Sequence, residues 1–205
     1  MALVKYNNNS ISAITSAAAI PAGAMTLIKS QTASSSATIS FVDGTSDVVL
    51  DSTYPIYLFK FIGIHPATNN ASLTFQGNVS GGSDYNETMT TSWFYAGHNE
   101  GGSSTYLTYG TGADQAQGTS FQAIGAGINN NADDNTSGEL WLFNPSSTTY
   151  VKHFMARTTA KGDEANDSYM SGYFNTTSAI DEIQFKMSSG NMDAGTIKLY
   201  GIKDS

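Results

Sequence analysis

The chain has 205 residues, with 9 Lys and Arg against 17 Asp and Glu, a formal net charge of -8, three histidines and no cysteine. That balance argues against nucleic-acid binding, which draws most of its affinity from Lys and Arg on phosphates, and against attraction to anionic membranes. Without cysteine there are no disulfides or thiolate metal sites, so stability must come from burial and from subunit contacts, as suits assembly in a reducing cytoplasm.

Only 13% of the residues are charged, while 40% are hydrophobic and 11% aromatic. The other polar residues are mostly Ser, Thr, Asn, Gln and Gly, which supply the turns that many short strands need. No apolar run reaches the roughly 20 residues that cross a bilayer, so membrane insertion is not expected. Residues 11–24, ISAITSAAAIPAGA, have a signal-peptide flavour. Ser12, Thr15, Ser16 and Pro21 interrupt the run and Lys5 is the only side-chain charge before it, so it reads as part of the mature chain.

In chain order, residues 1–25 read as a separate N-terminal arm, extended or partly helical. It is too poor in large apolar side chains to hold a core, and a short helix over 11–20 would be capped by Ser10 and ended by Pro21. Its expected role is attachment or oligomer contact. Residues 26–205 read as one β domain, with strands over 26–30, 38–42, 54–64, 72–77, 89–96, 105–109, 121–124, 138–143, 150–160, 169–175, 180–187 and 196–202.

The run YPIYLFKFIGI at 54–64 is apolar in both alternating rows, which predicts an interior strand covered on both faces. Ile183, Phe185 and Met187 alternate with Glu182, Gln184 and Lys186, the pattern of a strand with one wet face, and Leu73 with Phe75 repeats it. Asp43-Gly44, Gly81-Gly82, Gly101-Gly102, Asn144-Pro145 and Gly190-Asn191 mark turns. Many short strands without a convincing amphipathic helix beyond the arm predict an all-β, antiparallel two-sheet sandwich of jelly-roll type. Loops at 78–86, 97–104 and 125–136 are the expected contact surfaces.

Catalytic signals are sparse. His65, His98 and His153 are far apart and lack helical zinc spacing. His65 reads as a strand-end residue bonded to backbone, His153 as a packed or rim residue, and His98 as a solvated loop residue. There is no nucleophile elbow, P-loop or dinucleotide fingerprint. The pairs Asp133-Asp134, Asp163-Glu164 and Asp181-Glu182 read as turn charges, because neighbours on a strand point to opposite faces. NNNADDN at 129–135 has the oxygens for a calcium ion but not the spacing of an EF-hand loop.

No catalytic residue, metal or cofactor is therefore expected. Aromatic side chains offer one alternative: Trp93, Tyr95, Tyr106 and Tyr109 lie near polar loops and form a candidate glycan or partner contact. The competing reading puts one row of 93–95 in the core and the other at a subunit contact.

Three stretches resemble structural proteins of tailed phages of marine bacteria: MALVKYNNNSISAIT at the start, TFQGNVSGGSDYNETMTTS with the aromatic strand after it, and YFNTTSAIDEIQFKMSSGNMDAGTIKLYGIK at the close. The resemblance covers most of the chain but carries no catalytic motif. It implies a non-enzymatic virion protein at the particle surface, either a capsid decoration protein or a subunit of a fibre, spike or tail appendage. The implied partners are other virion proteins, further copies of the chain with three favoured, and host surface glycan. GTIKLYGIK at 195–203 is similar to the closing strand of these sandwich modules.

Overall fold

The structure, a computed structural model, describes residues 24–203. In that span lie β1 (Met25–Thr32), β2 (Ile39–Val42), β3 (Ile56–Pro66), β4 (Leu73–Val79), β5 (Met89–Asn99), β6 (Thr105–Tyr109), β7 (Ala116–Gly118), β8 (Gln122–Ala123), β9 (Asn135–Phe143), β10 (Lys152–Lys161), β11 (Glu164–Phe174), β12 (Ile180–Met187) and β13 (Met192–Ile202). No helix occurs among the described residues. The helix expected over 11–20, with most of the arm, lies outside them. Met25, assigned to the arm from sequence, opens β1 instead, where it pairs with Ile202.

The strands form two antiparallel sheets. A nine-stranded sheet runs β1-β13-β3-β9-β10-β11-β5-β6 with β7 added beside β5, and a four-stranded sheet runs β2-β12-β4-β8. The pairs β1 with β13, β2 with β12, β3 with β9 and β4 with β8 are nested and alternate between the sheets. Such nesting is a long antiparallel hairpin rolled into two layers, the jelly roll. The insertions β5 to β7 and β10 to β11 all join the larger sheet and widen it beyond the four-stranded layer.

Strand alternation supplies the core. Tyr57, Phe59 and Phe61 on β3, Leu140 and Leu142 on β9, and Ile197 and Leu199 on β13 face Phe41, Leu73, Phe75, Ile183 and Phe185 of the smaller sheet, all buried. Rings meet edge to face: Phe59 and Phe61 each lie 5.2 Å from Phe185, and Phe75 lies 5.0 Å from Phe154. Each such side chain contributes about 1.5–3 kcal/mol through burial alone.

Two sequence expectations are corrected here. The outer row of β3 is only partly covered: Leu58 is buried and Ile56 and Lys60 are half-buried, but Ile62 is 48% exposed. Gly63 sits at φ +57°, and the pairing of β3 with β9 shifts between Phe61 and Ile64. That bulge carries Ile64 to the core side, where it is fully buried, although simple alternation places it in the row of Ile62. Conversely, the polar row of β4 is not wet, for Thr74, Gln76 and Asn78 are all buried. The strand covered on both faces is β4, not β3.

Candidate functional site on the outer face of the nine-stranded sheet

The outer face of the larger sheet is built from every second residue of its strands. Seven large apolar side chains that are exposed in the chain project from it: Met25, Leu27, Ile62, Phe94, Leu107, Tyr109 and Met155. The strand register aligns five of them, all but Ile62 and Leu107, with half-buried neighbours and the buried Leu58 in rows across the sheet. One row runs Leu27, Tyr200, Leu58, Trp141, Met155, and a second runs Met25, Ile202, Ile56, Phe143. A third, more polar row runs Lys198, Lys60, Glu139, Arg157, Tyr169, Phe94, Tyr109.

The two halves of this face differ. Over β1, β13 and β3 the first two rows are mainly aliphatic. Over β9, β10, β11 and β5 a groove of about 310 Å³ runs between Trp141 with Met155 on one side and Tyr169 with Phe94 on the other. Phe94 and Tyr169 stack in parallel, 5.0 Å apart. The Arg157 guanidinium lies 4.9 Å over the Tyr169 ring and forms a two-pronged contact with Asp167, Nε donating to Oδ1 at 3.0 Å and NH2 to Oδ2 at 2.7 Å. That guanidinium holds the Asp167 carboxyl below the usual carboxylate range. Trp141 Nε1 donates to Glu139 Oε1 at 3.0 Å, which fixes the indole over the groove. Rings with fixed planes beside charged, hydrogen-bonding groups suit a flat polar ligand such as a sugar ring.

The aromatic residues singled out from sequence divide between the two faces. Trp93 is only 9% exposed and stacks on Tyr95 at 4.8 Å, and Tyr95 meets Tyr106 edge-on at 5.7 Å. These three form a ladder on the core side, so the Trp93 ring is not available to a sugar. Tyr106 donates to Glu164 and accepts from Asn166 Nδ2, and burial together with the Glu164 contact pushes its hydroxyl pKa up to about 12. Tyr109 alone of the four lies on the outer face, beside Phe94, its hydroxyl donating to Asp114 Oδ2 at 3.0 Å. Trp93 turns in and Phe94 turns out, so 93–95 divides between the core side and the outer face. The groove residues Met155, Arg157 and Tyr169 were missed as a group. Their signal was the alternation of β10, with Phe154, Ala156 and Thr158 turned in and Met155, Arg157 and Thr159 turned out.

Elsewhere, His65 Nδ1 lies 2.7 Å from the Asp134 carbonyl oxygen, the backbone-bonded arrangement expected for it. His153 is an exposed rim residue whose ring meets Tyr173 at 5.9 Å, and His98 lies within β5 rather than in a loop. In 129–135, Lys161 Nζ donates to both Asp133 Oδ2 at 3.0 Å and Asp134 Oδ1 at 2.7 Å. Asp134 also accepts from Asn131, and these partners lower its carboxyl pKa. Among the described residues no three His, Asp or Glu side chains gather as a metal site would require. Comparison with protein-family models, curated proteins and solved structures finds no match for the chain.

Proposed function

We propose that the chain is a non-enzymatic structural protein at the surface of a tailed-phage particle, a capsid decoration protein or a subunit of a fibre, spike or tail appendage, working as a homo-oligomer. The observation that carries this reading is the set of large apolar side chains exposed, among the described residues, on the outer face of the nine-stranded sheet. Soluble single chains rarely leave a contiguous apolar patch larger than a few hundred Å² in water, and such patches mark interaction surfaces. The resemblance of three stretches to phage structural proteins supplies the particle. The non-enzymatic part is supported by the acids in and beside the groove: Asp167 is tied to Arg157 and Glu139 accepts from Trp141. Mass spectrometry of purified particles tests the reading. The chain is expected in stoichiometric copy number in particles, and recovery only from host-cell lysate would overturn it.

A second reading, recognition of host glycan, is favoured by the groove between Trp141 and Tyr169. It moves the expected sugar platform from Trp93 and Tyr95 to Trp141, Tyr169 and Phe94, with Arg157 and Glu139 as hydroxyl partners. Binding on a bacterial glycan array that disappears in Trp141→Ala while the β spectrum is retained would favour it.

A further inference from the structure

We infer that the aliphatic half of the outer face, over β1, β13, β3, β9 and the first half of β10, is buried against the same face of another copy of this chain. The inference deepens the assembly reading above by naming the surface and its occupant, and it rests on that reading only for the place where the oligomer is used.

Three observations choose a second copy. First, the size fits. Five strands about 4.8 Å apart, with four outward residues about 6.8 Å apart on the first four and two on the half of β10, make a face of roughly 590 Å², its polar residues included. Two such faces give about 1,200 Å², at the lower end of the roughly 1,200–2,000 Å² of stable protein contacts. Second, an apolar patch needs an apolar partner. Of the eight exposed large apolar side chains among the described residues, Met25, Leu27, Ile62 and Met155 are on this half, Phe94, Leu107 and Tyr109 are on the far half of the same face, and Tyr150 is in the loop before β10. Among the described residues, the surface that matches this face is the face itself, the self-complementarity that symmetric assemblies use.

Third, the charges do not oppose self-contact. Lys198, Lys60 and Arg157 share one row with Glu139, and Asp167 lies next to Arg157. Among the described residues Lys60, Lys198 and Glu139 make no ion pair within the chain, so both signs are free to meet their opposites on a neighbour. A face of one sign would repel its own copy. Two copies packed with these faces together cover Ile62, Tyr200, Trp141 and Met155.

The test is the solution mass of the full chain by sedimentation equilibrium, for the wild type, for Ile62→Glu with Met155→Glu, and for Leu107→Glu as a control on the far strand β6. Ile62 and Met155 are 48% and 46% exposed, so acids there leave the fold intact. Two chain masses are expected for the wild type and the control, with self-association at least about tenfold weaker in the double variant. A monomeric wild type, or an oligomer indifferent to the double substitution, would overturn the inference. Should the double variant not fold, hydrogen exchange of the wild type across a dilution series decides. Protection of 56–62 and 139–143 must fall on dilution, and protection independent of concentration rejects the contact. A chain that oligomerises this way but is absent from particles breaks the functional proposal alone, and a particle protein that is monomeric breaks this inference alone.

Discussion

The two sheets of this sandwich treat their outer faces in opposite ways. On the four-stranded sheet the outer residues are polar yet buried, with Thr74, Gln76 and Asn78 roofed by the chain's own segments. Gln76 Nε2 donates to the carbonyls of Glu87, Thr119 and Ser120, Asn78 Nδ2 donates to Glu182, and Lys186 Nζ sits 3.9 Å over the Phe121 ring. Tyr85 belongs to the same roof, where burial first and then Glu182 push its hydroxyl pKa up to about 12. On the nine-stranded sheet the outer face mixes polar side chains with seven large apolar ones that stand exposed among the described residues. The difference teaches that polarity alone does not tell which sheet face is covered. A loop roof brings its own backbone donors and acceptors and so selects polar residues beneath it, whereas apolar residues on the other face accord with the subunit contact proposed above.

The comparison breaks most visibly at Gln76. Gln76→Ala strips the amide shared by three loop carbonyls and is expected to cost about 3 kcal/mol, read as a shift of the urea midpoint. A change below about 1 kcal/mol would mean that the roof does not depend on this amide.

Next is the acid response. The network around Gln76 is largely amide and does not titrate, whereas the larger sheet carries Asp134 and Asp167, both with carboxyl pKa values lowered by their cationic partners. A carboxyl lowered in the fold stabilises it fully above its unfolded value of about 3.9, and that stability is lost as pH falls through the lower folded value. The wild-type melting temperature should therefore drop as pH falls below about 4. Asp134→Asn with Asp167→Asn should start lower at neutral pH and drop less, and parallel curves would count against this source of acid sensitivity.

The smallest effect belongs to the bare face itself. In dilute solution Ile62→Thr should change chain stability by no more than about 0.5 kcal/mol, since the side chain is already half in water. A cost above about 1.5 kcal/mol would show that Ile62 is covered within its own chain.

Much of this architecture was legible in the sequence because period-two alternation and turn residues announce strands directly. The run 180–187 and the run 105–109 match β12 and β6 end to end. The three-residue β7, Ala-Gln-Gly, was not, for it has no apolar alternation and is a strand only because β5 offers it an edge. Facing was the less legible part. In 54–64 both rows are apolar, and the deciding device, a bulge at Gly63, leaves no mark except one glycine among large residues. In β4 the polar row looked wet because the segments that roof it, around Tyr85 and Phe121, are remote in sequence or irregular. The candidate groove was hidden for the same reason: Phe94, Trp141, Met155 and Tyr169 come from four strands that only tertiary pairing brings side by side.

The nested pairing also has a consequence in time. β13 lies between β1 and β3, so residues 192–202 are the seam through which the first strand joins its sheet. Until they leave the ribosome, β1 has no neighbour and β3 presents an open edge, a template for intermolecular pairing. Synthesis of this chain thus carries a vulnerable interval that ends only when β13 has slotted home, and messages truncated before codon 192 should yield aggregates rather than smaller folded forms.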